Sequence, residues 1–65
     1  MAMLNEVKRE LRRKGCRLDH NGSKHEHWIN PKNGKCFRLS RHNHEISSQL
    51  LKAIEKQAGV TLFDK

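Results

Sequence analysis

Apolar positions follow two different periods along this chain. Near the N-terminus Leu4, Val7 and Leu11 recur every three or four residues, the spacing that lines one face of an α-helix. Asn5 is the expected N-cap, and Glu6 falls in the first turn, where the helix dipole favours negative charge. Arg12, Arg13 and Lys14 complement the other end, and Gly15 suits the left-handed residue that closes a helix. The opposite face, with Lys8, Arg9, Glu10, Arg12 and Arg13, reads as solvated. From Cys16 the period becomes two. Residues 16–19, 24–30 and 35–40 alternate and predict three strands. His20-Asn21-Gly22 turns the first strand back, and Asn-Gly predicts a tight type I′ hairpin, whose central residues need positive φ. Asn30-Pro31-Lys32-Asn33-Gly34 forms the second connection, where Pro31 cannot continue a ladder. Helical spacing then returns in Leu50, Leu51, Ile54 and Ala58. Ser47 is the N-cap, Ile46 anchors the entry, Gly59 ends the helix and Val60 packs back near Ile54. Residues 61–65 carry no strong signal; Leu62 and Phe63 either pack on the core or a partner, or fray.

The pattern predicts an α+β fold of order α-β-β-β-α, with a three-stranded antiparallel sheet. Each helix has one apolar stripe, so both belong on the same face of that sheet. Residues 1–65 read as a single domain, without repeats or low-complexity tracts. Alternation turns Lys24, Glu26, Trp28, Phe37 and Leu39 toward the helices, with Trp28 in the core and Glu26 placed to pair with a nearby basic residue. Arg17, His25, His27, Ile29, Cys36, Arg38 and Ser40 face away.

Composition narrows the classes of function. A chain of 65 residues buries only about 60% of its unfolded surface. With 34% apolar residues and three aromatics, Trp28, Phe37 and Phe63, it has enough for one helix-on-sheet layer and for no internal ligand cavity. Fourteen Lys and Arg against seven Asp and Glu leave a net charge of +7, which favours nucleic acid or an acidic protein as partner. No signal peptide and no apolar run of spanning length is evident, which predicts a cytoplasmic protein that does not enter a membrane. Cys16 and Cys36, the only cysteines, are then expected reduced and partly buried. His25-x-His27 and His42-x-His44 supply zinc-ligand types, but their spacing fits no usual zinc knuckle, so neither metal nor cofactor is expected.

The open sheet face is where chemistry concentrates. A neutral imidazole can take the proton of a ribose 2′-hydroxyl, and an imidazolium can give one to the leaving 5′ oxygen. Guanidinium and ammonium groups stabilise the charge that builds on phosphorus. His25 and His27 share this face with Arg17 and Arg38, and the loop beyond the third strand adds Arg41, His42 and His44. Arg38 and Arg41 are placed for phosphate contacts, whereas His42 and His44 are either RNA contacts or polar loop groups. Ser23 either caps the turn, or bonds a phosphate or orients His25. Lys24 is either a phosphate contact or an exposed lysine on the far side.

Several of these pieces stand in a familiar order: Gly22-Ser23 followed by histidine in the strand, Arg41-His42 with Glu45-Ile46, Leu50, and the closing run from Lys52 to Val60. Over roughly residues 4–60 the chain resembles the HicA family of toxins, the messenger-RNA-cleaving partners in HicA–HicB type II toxin–antitoxin pairs. The resemblance implies a fold similar to the double-stranded-RNA-binding domain and a ribosome-independent endoribonuclease with one essential histidine after the Gly-Ser turn. Many members carry that histidine directly after the serine, whereas here Lys24 stands there. Some members have the offset form Gly-Ser-x-His, which carries the catalytic role to His25, with His27 as the alternative. Ser23, Lys24, Arg38, Arg41 and His42 are the expected RNA-binding residues. The implied partners are messenger RNA and a HicB-like antitoxin covering the histidine face. A non-catalytic RNA-binding module of the same fold is the alternative function.

Overall fold

The computed structural model describes residues 2–63, so Met1 and the last two residues of the 61–65 tail lie outside the described residues. In chain order the elements are β1 (Ala2–Met3), α1 (Leu4–Arg13), β2 (Arg17–Asn21), β3 (His25–Asn30), β4 (Lys35–Ser40), β5 (Glu45–Ile46) and α2 (Ser48–Ala58). β2, β3 and β4 form an antiparallel sheet in that order, as the α-β-β-β-α pattern predicts. The short pair β1–β5 is an addition, with Ala2 opposite Ile46 and Met3 opposite Glu45.

The start of α1 differs from expectation. Met3, in extended conformation, is the N-cap, and its N–H donates to Glu6 Oε1 (3.1 Å). Asn5 already lies in the first turn. Its N–H donates to the side chain of Asn43 (2.9 Å), and that of Leu4 donates to the His44 carbonyl (2.8 Å). The orphan donors of the helix end are thus met from the loop before β5, a tertiary cap that local sequence does not reveal. At the other end Gly15 takes the expected left-handed conformation (φ 96°).

The first hairpin is also built differently. β2 begins one residue later than expected and runs two further, because the register shifts between Leu18 and His20 and carries His20 and Asn21 into the ladder. Leu18 remains 36% exposed on this edge strand. Neither Asn21 nor Gly22 has positive φ, so the type I′ turn is absent. Residues 22–24 form the connection, closed by a hydrogen bond from the Gly22 N–H to the His25 carbonyl (2.7 Å), and Lys24 stands outside β3.

Both helices pack on one sheet face. Leu4, Val7 and Leu11 of α1 and Ile54 and Ala58 of α2 close over Trp28, Phe37 and Leu39, with Cys16, Ile46 and Leu62 completing the core. Trp28 is wholly buried, its ring 6.5 Å from that of Phe37, and its Nε1–H donates to Glu26 Oε1 (3.0 Å). The same carboxylate oxygen lies 2.9 Å from Lys8 Nζ, so Glu26 has the predicted basic partner. Burial alone would raise the Glu26 carboxyl. The hydrogen bonds from Lys8 and Trp28, with the charges of Lys8 and Arg12, outweigh it and hold the group below the usual carboxylate range. The basic face of α1 is therefore not wholly solvated. Lys8 is buried, and the Arg12 guanidinium lies 5.0 Å over the Trp28 ring.

α2 has the expected caps: Ser47 Oγ accepts from the Leu50 N–H (3.2 Å), and Gly59 is left-handed (φ 73°). Leu50, however, is 43% exposed and lies outside the core; the inward stripe is Leu51, Ile54 and Ala58. At the helix end, buried Asn30 donates to the Ala58 carbonyl (2.8 Å) and accepts from the Lys32 N–H (3.1 Å), while Asn33 adds a second bond to Ala58 (3.2 Å). The second connection is thereby a C-terminal clamp on α2 as well as a turn. The chain stays packed through buried Leu62, whose N–H donates to Glu55 Oε2 (2.7 Å), whereas Phe63 is exposed.

Candidate functional site

Cross-strand register places the candidate residues. His25 lies opposite Ser40, and His27 opposite Arg38, so all four share the face turned away from the helices, as alternation predicts. Because β3 begins where β4 ends, residues 22–24 and the loop after Ser40 emerge at the same end of the sheet. Ser23, Lys24, Arg41 and His42 are exposed there. The His42 N–H donates to Ser40 Oγ (3.3 Å), and the His44 Nδ1 lies 3.0 Å from the Glu45 carbonyl.

The two strand histidines have different surroundings. His25 is exposed and sits in the wall of two adjoining clefts, and Arg38 lines both with it. One cleft, of about 200 Å³, opens between the β4 edge, β5 and α2; Ser40, His44, Leu50 and Ile54 are among its other lining residues. The second, of about 520 Å³, is lined additionally by Cys36, Phe37 and Gln57. Both clefts are open to solvent, so neither is an internal ligand cavity. The room comes from the seam between the edge strand and α2, not from inside the core.

His27 is half-buried and stacks on His20, with ring centroids 4.3 Å apart and planes 11° from parallel. His20 Nδ1 in turn lies 2.9 Å from Asp19 Oδ2. Sequence reasoning missed this pair by leaving His20 in the turn. The register shift at Asp19 brings it opposite His27, and nothing in the residue pattern announces a bulge there.

Of the two cysteines only Cys36 reaches a cleft wall. Both are free thiols. Cys16 is buried, and desolvation pushes its thiol up, only partly countered by the charge of Lys32. Cys36 is exposed, not partly buried as expected, because its strand position points to the open face. Among the described residues no three His, Cys, Asp or Glu side chains gather closely enough to hold a metal ion. No helix among them is long and apolar enough to cross a membrane.

The family described as HicA toxin of bacterial toxin-antitoxin matches residues 4–60, from the first residue of α1 to the one after Gly59, the left-handed cap of α2. The chain belongs to the HicA toxin family. No curated protein and no solved structure matches it significantly. Membership makes it the toxin half of a bacterial toxin–antitoxin pair and implies an antitoxin as its partner. The α-β-β-β-α layout agrees with the double-stranded-RNA-binding-domain-like fold that the resemblance implies.

In this HicA chain the glycine before Ser23 has a steric role. A Cβ built on Gly22 would stand 2.8 Å from His27 Nε2 and 2.9 Å from the His25 carbonyl, closer than real Cβ atoms come to such groups. The flexible imidazole can yield, but the carbonyl is backbone, and it accepts the bond that closes the hairpin. Gly22→Ala should therefore displace the start of β3, costing about 1–3 kcal/mol. Its amide resonances should shift at residues 22–27 while those of α1 stay in place. Unchanged His25 and His27 resonances would contradict the steric assignment.

Proposed function

We propose that this HicA toxin is a metal-independent endoribonuclease that cuts messenger RNA, with His25 transferring the proton and Arg38 stabilising the charge on phosphorus. One observation carries the reading: exposed His25, on the open face with Arg38, lines both clefts together with that arginine. Neutral His25 would remove the 2′-hydroxyl proton, the 2′ oxygen would bond to phosphorus, and the bond from phosphorus to the 5′ oxygen would break. The proton is then returned to that leaving oxygen. The products are a 2′,3′-cyclic phosphate and a 5′-hydroxyl. Ser23, Lys24, Arg41 and His42, at the same end of the sheet, would hold the flanking phosphates.

His27 is the second candidate, favoured by its stack on His20 and the Asp19 carboxylate beside that ring. A HicB-like antitoxin would neutralise the toxin in the cytoplasm by covering the histidine face. The +7 charge supports an acidic partner surface that associates quickly and with marked salt dependence. The purified protein in EDTA should cut a long single-stranded RNA and leave cyclic-phosphate and 5′-hydroxyl ends. RNA that is bound but left whole would make the chain a non-catalytic binding module.

A further inference from the structure

Both clefts share His25, Arg38 and Gln57, so a phosphate resting at the histidine would adjoin both. Their walls differ. The smaller recess is largely apolar: Leu4, Ile46, Leu50, Ala53 and Ile54 line it, and exposed Leu50 is the member of the α2 pattern that the core leaves out. Polar groups line it as well. Gln57 offers an amide with both donors and an acceptor, and Ser40 offers a hydroxyl. His44 contributes an imidazole whose Nδ1 lies 3.0 Å from the Glu45 carbonyl, an acceptor only. In the neutral ring the proton therefore sits on Nδ1, leaving Nε2 as an acceptor.

An apolar slot with donors and acceptors in its wall, sharing Arg38 with the second cleft, matches the chemistry of an unpaired base attached to a phosphate at that guanidinium. A second feature favours a base over an aliphatic side chain. The recess continues into the His25–Arg38 wall instead of being closed off from it, so one nucleotide can span both.

We infer that the cleft between the β4 edge, β5 and α2 takes one unpaired nucleobase of the RNA, held against Leu50 and Ala53 and read at its edge by Gln57 and His44. This subsite rests on the proposed nuclease reading for its purpose, though not for its binding. It gives the toxin a source of cut-site preference in residues of α2 and the β5 approach, away from the histidine itself.

The test titrates the four ribonucleoside 3′-monophosphates, and inorganic phosphate alone, into the full-length ¹⁵N-labelled protein, and in parallel maps cuts along a long RNA. At least one nucleotide should give saturable shifts at Leu50, Ala53 and Gln57 that phosphate alone does not. Ala53→Phe, which fills the recess, should abolish those shifts and lower cutting at preferred positions roughly tenfold or more. Gln57→Leu, similar in size without the amide, should redistribute cuts among positions. Circular dichroism of both variants checks that they fold. If RNA is cut but no nucleotide shifts these residues beyond phosphate, or both variants cut with the wild-type pattern, the base subsite is overturned and the nuclease reading stands. Base-dependent shifts without cutting would uphold the subsite and overturn the nuclease reading instead.

Discussion

Trp28→Ala should leave the protein largely unfolded at physiological temperature. The side chain is wholly buried between the sheet and α1, lies 6.5 Å from the Phe37 ring, has the Arg12 guanidinium above it and donates to Glu26. Emptying such a site costs about 3–5 kcal/mol. A domain of 65 residues has in total only about 3–10 kcal/mol of stability. The far-UV melting transition should fall by roughly 15–30 °C or disappear. Trp28→Phe should cost less, because the ring still meets Phe37 while Glu26 loses one of two donors and keeps Lys8. A Trp28→Ala variant that melts within a few degrees of wild type would contradict the packing described here.

Much of the fold was legible because two periods carry it. Leu4, Val7 and Leu11 could face one side only as a helix, and Trp28, Phe37 and Leu39 could share a face only as strands. What escaped was decided by distant partners. Asn43 and His44 cap α1 from across the chain, so the local candidate Asn5 was displaced from the N-cap position. Lys8 looked like a surface residue until the sheet set Glu26 beneath it. The inward stripe of α2 is one residue narrower than its helical spacing suggests, since Leu50 is 43% exposed and lines a cleft.

The candidate site was legible to a similar depth. Alternation put His25, His27 and Arg38 on the open face, and the register agrees. The hairpin was recognised by its residues and mistaken in its geometry. Asn21-Gly22 suggests positive φ, yet Gly22 is needed for the room it leaves beside His27 and the His25 carbonyl. His20 became a stacking partner through a bulge, and Gln57 became a cleft residue through the packing of α2 beside β4. Both depend on tertiary placement that a single sequence does not encode locally.

On the proposed mechanism, replacing His25 by alanine should remove nearly all RNA cleavage and the growth arrest that would go with it. The residue is exposed, no hydrogen bond among the described residues uses its ring, and the hairpin is closed by its backbone carbonyl, which alanine retains. Folding should therefore be preserved to within about 0.5 kcal/mol. A positioned acid–base group contributes about 10²–10⁴-fold to rate, and Arg38 alone cannot move the proton. His27→Ala should act differently. It removes the ring that stacks on His20 and packs over Gly22, so it should disturb the hairpin and reduce cutting by less.

The most direct measurement is single-turnover cleavage of one long RNA in EDTA by wild type and His25→Ala at equal concentration, once circular dichroism shows both folded. The nuclease reading predicts wild-type cutting that falls by about 10²–10⁴-fold in the variant while RNA binding persists. A folded His25→Ala protein that cuts within about threefold of the wild-type rate would contradict it.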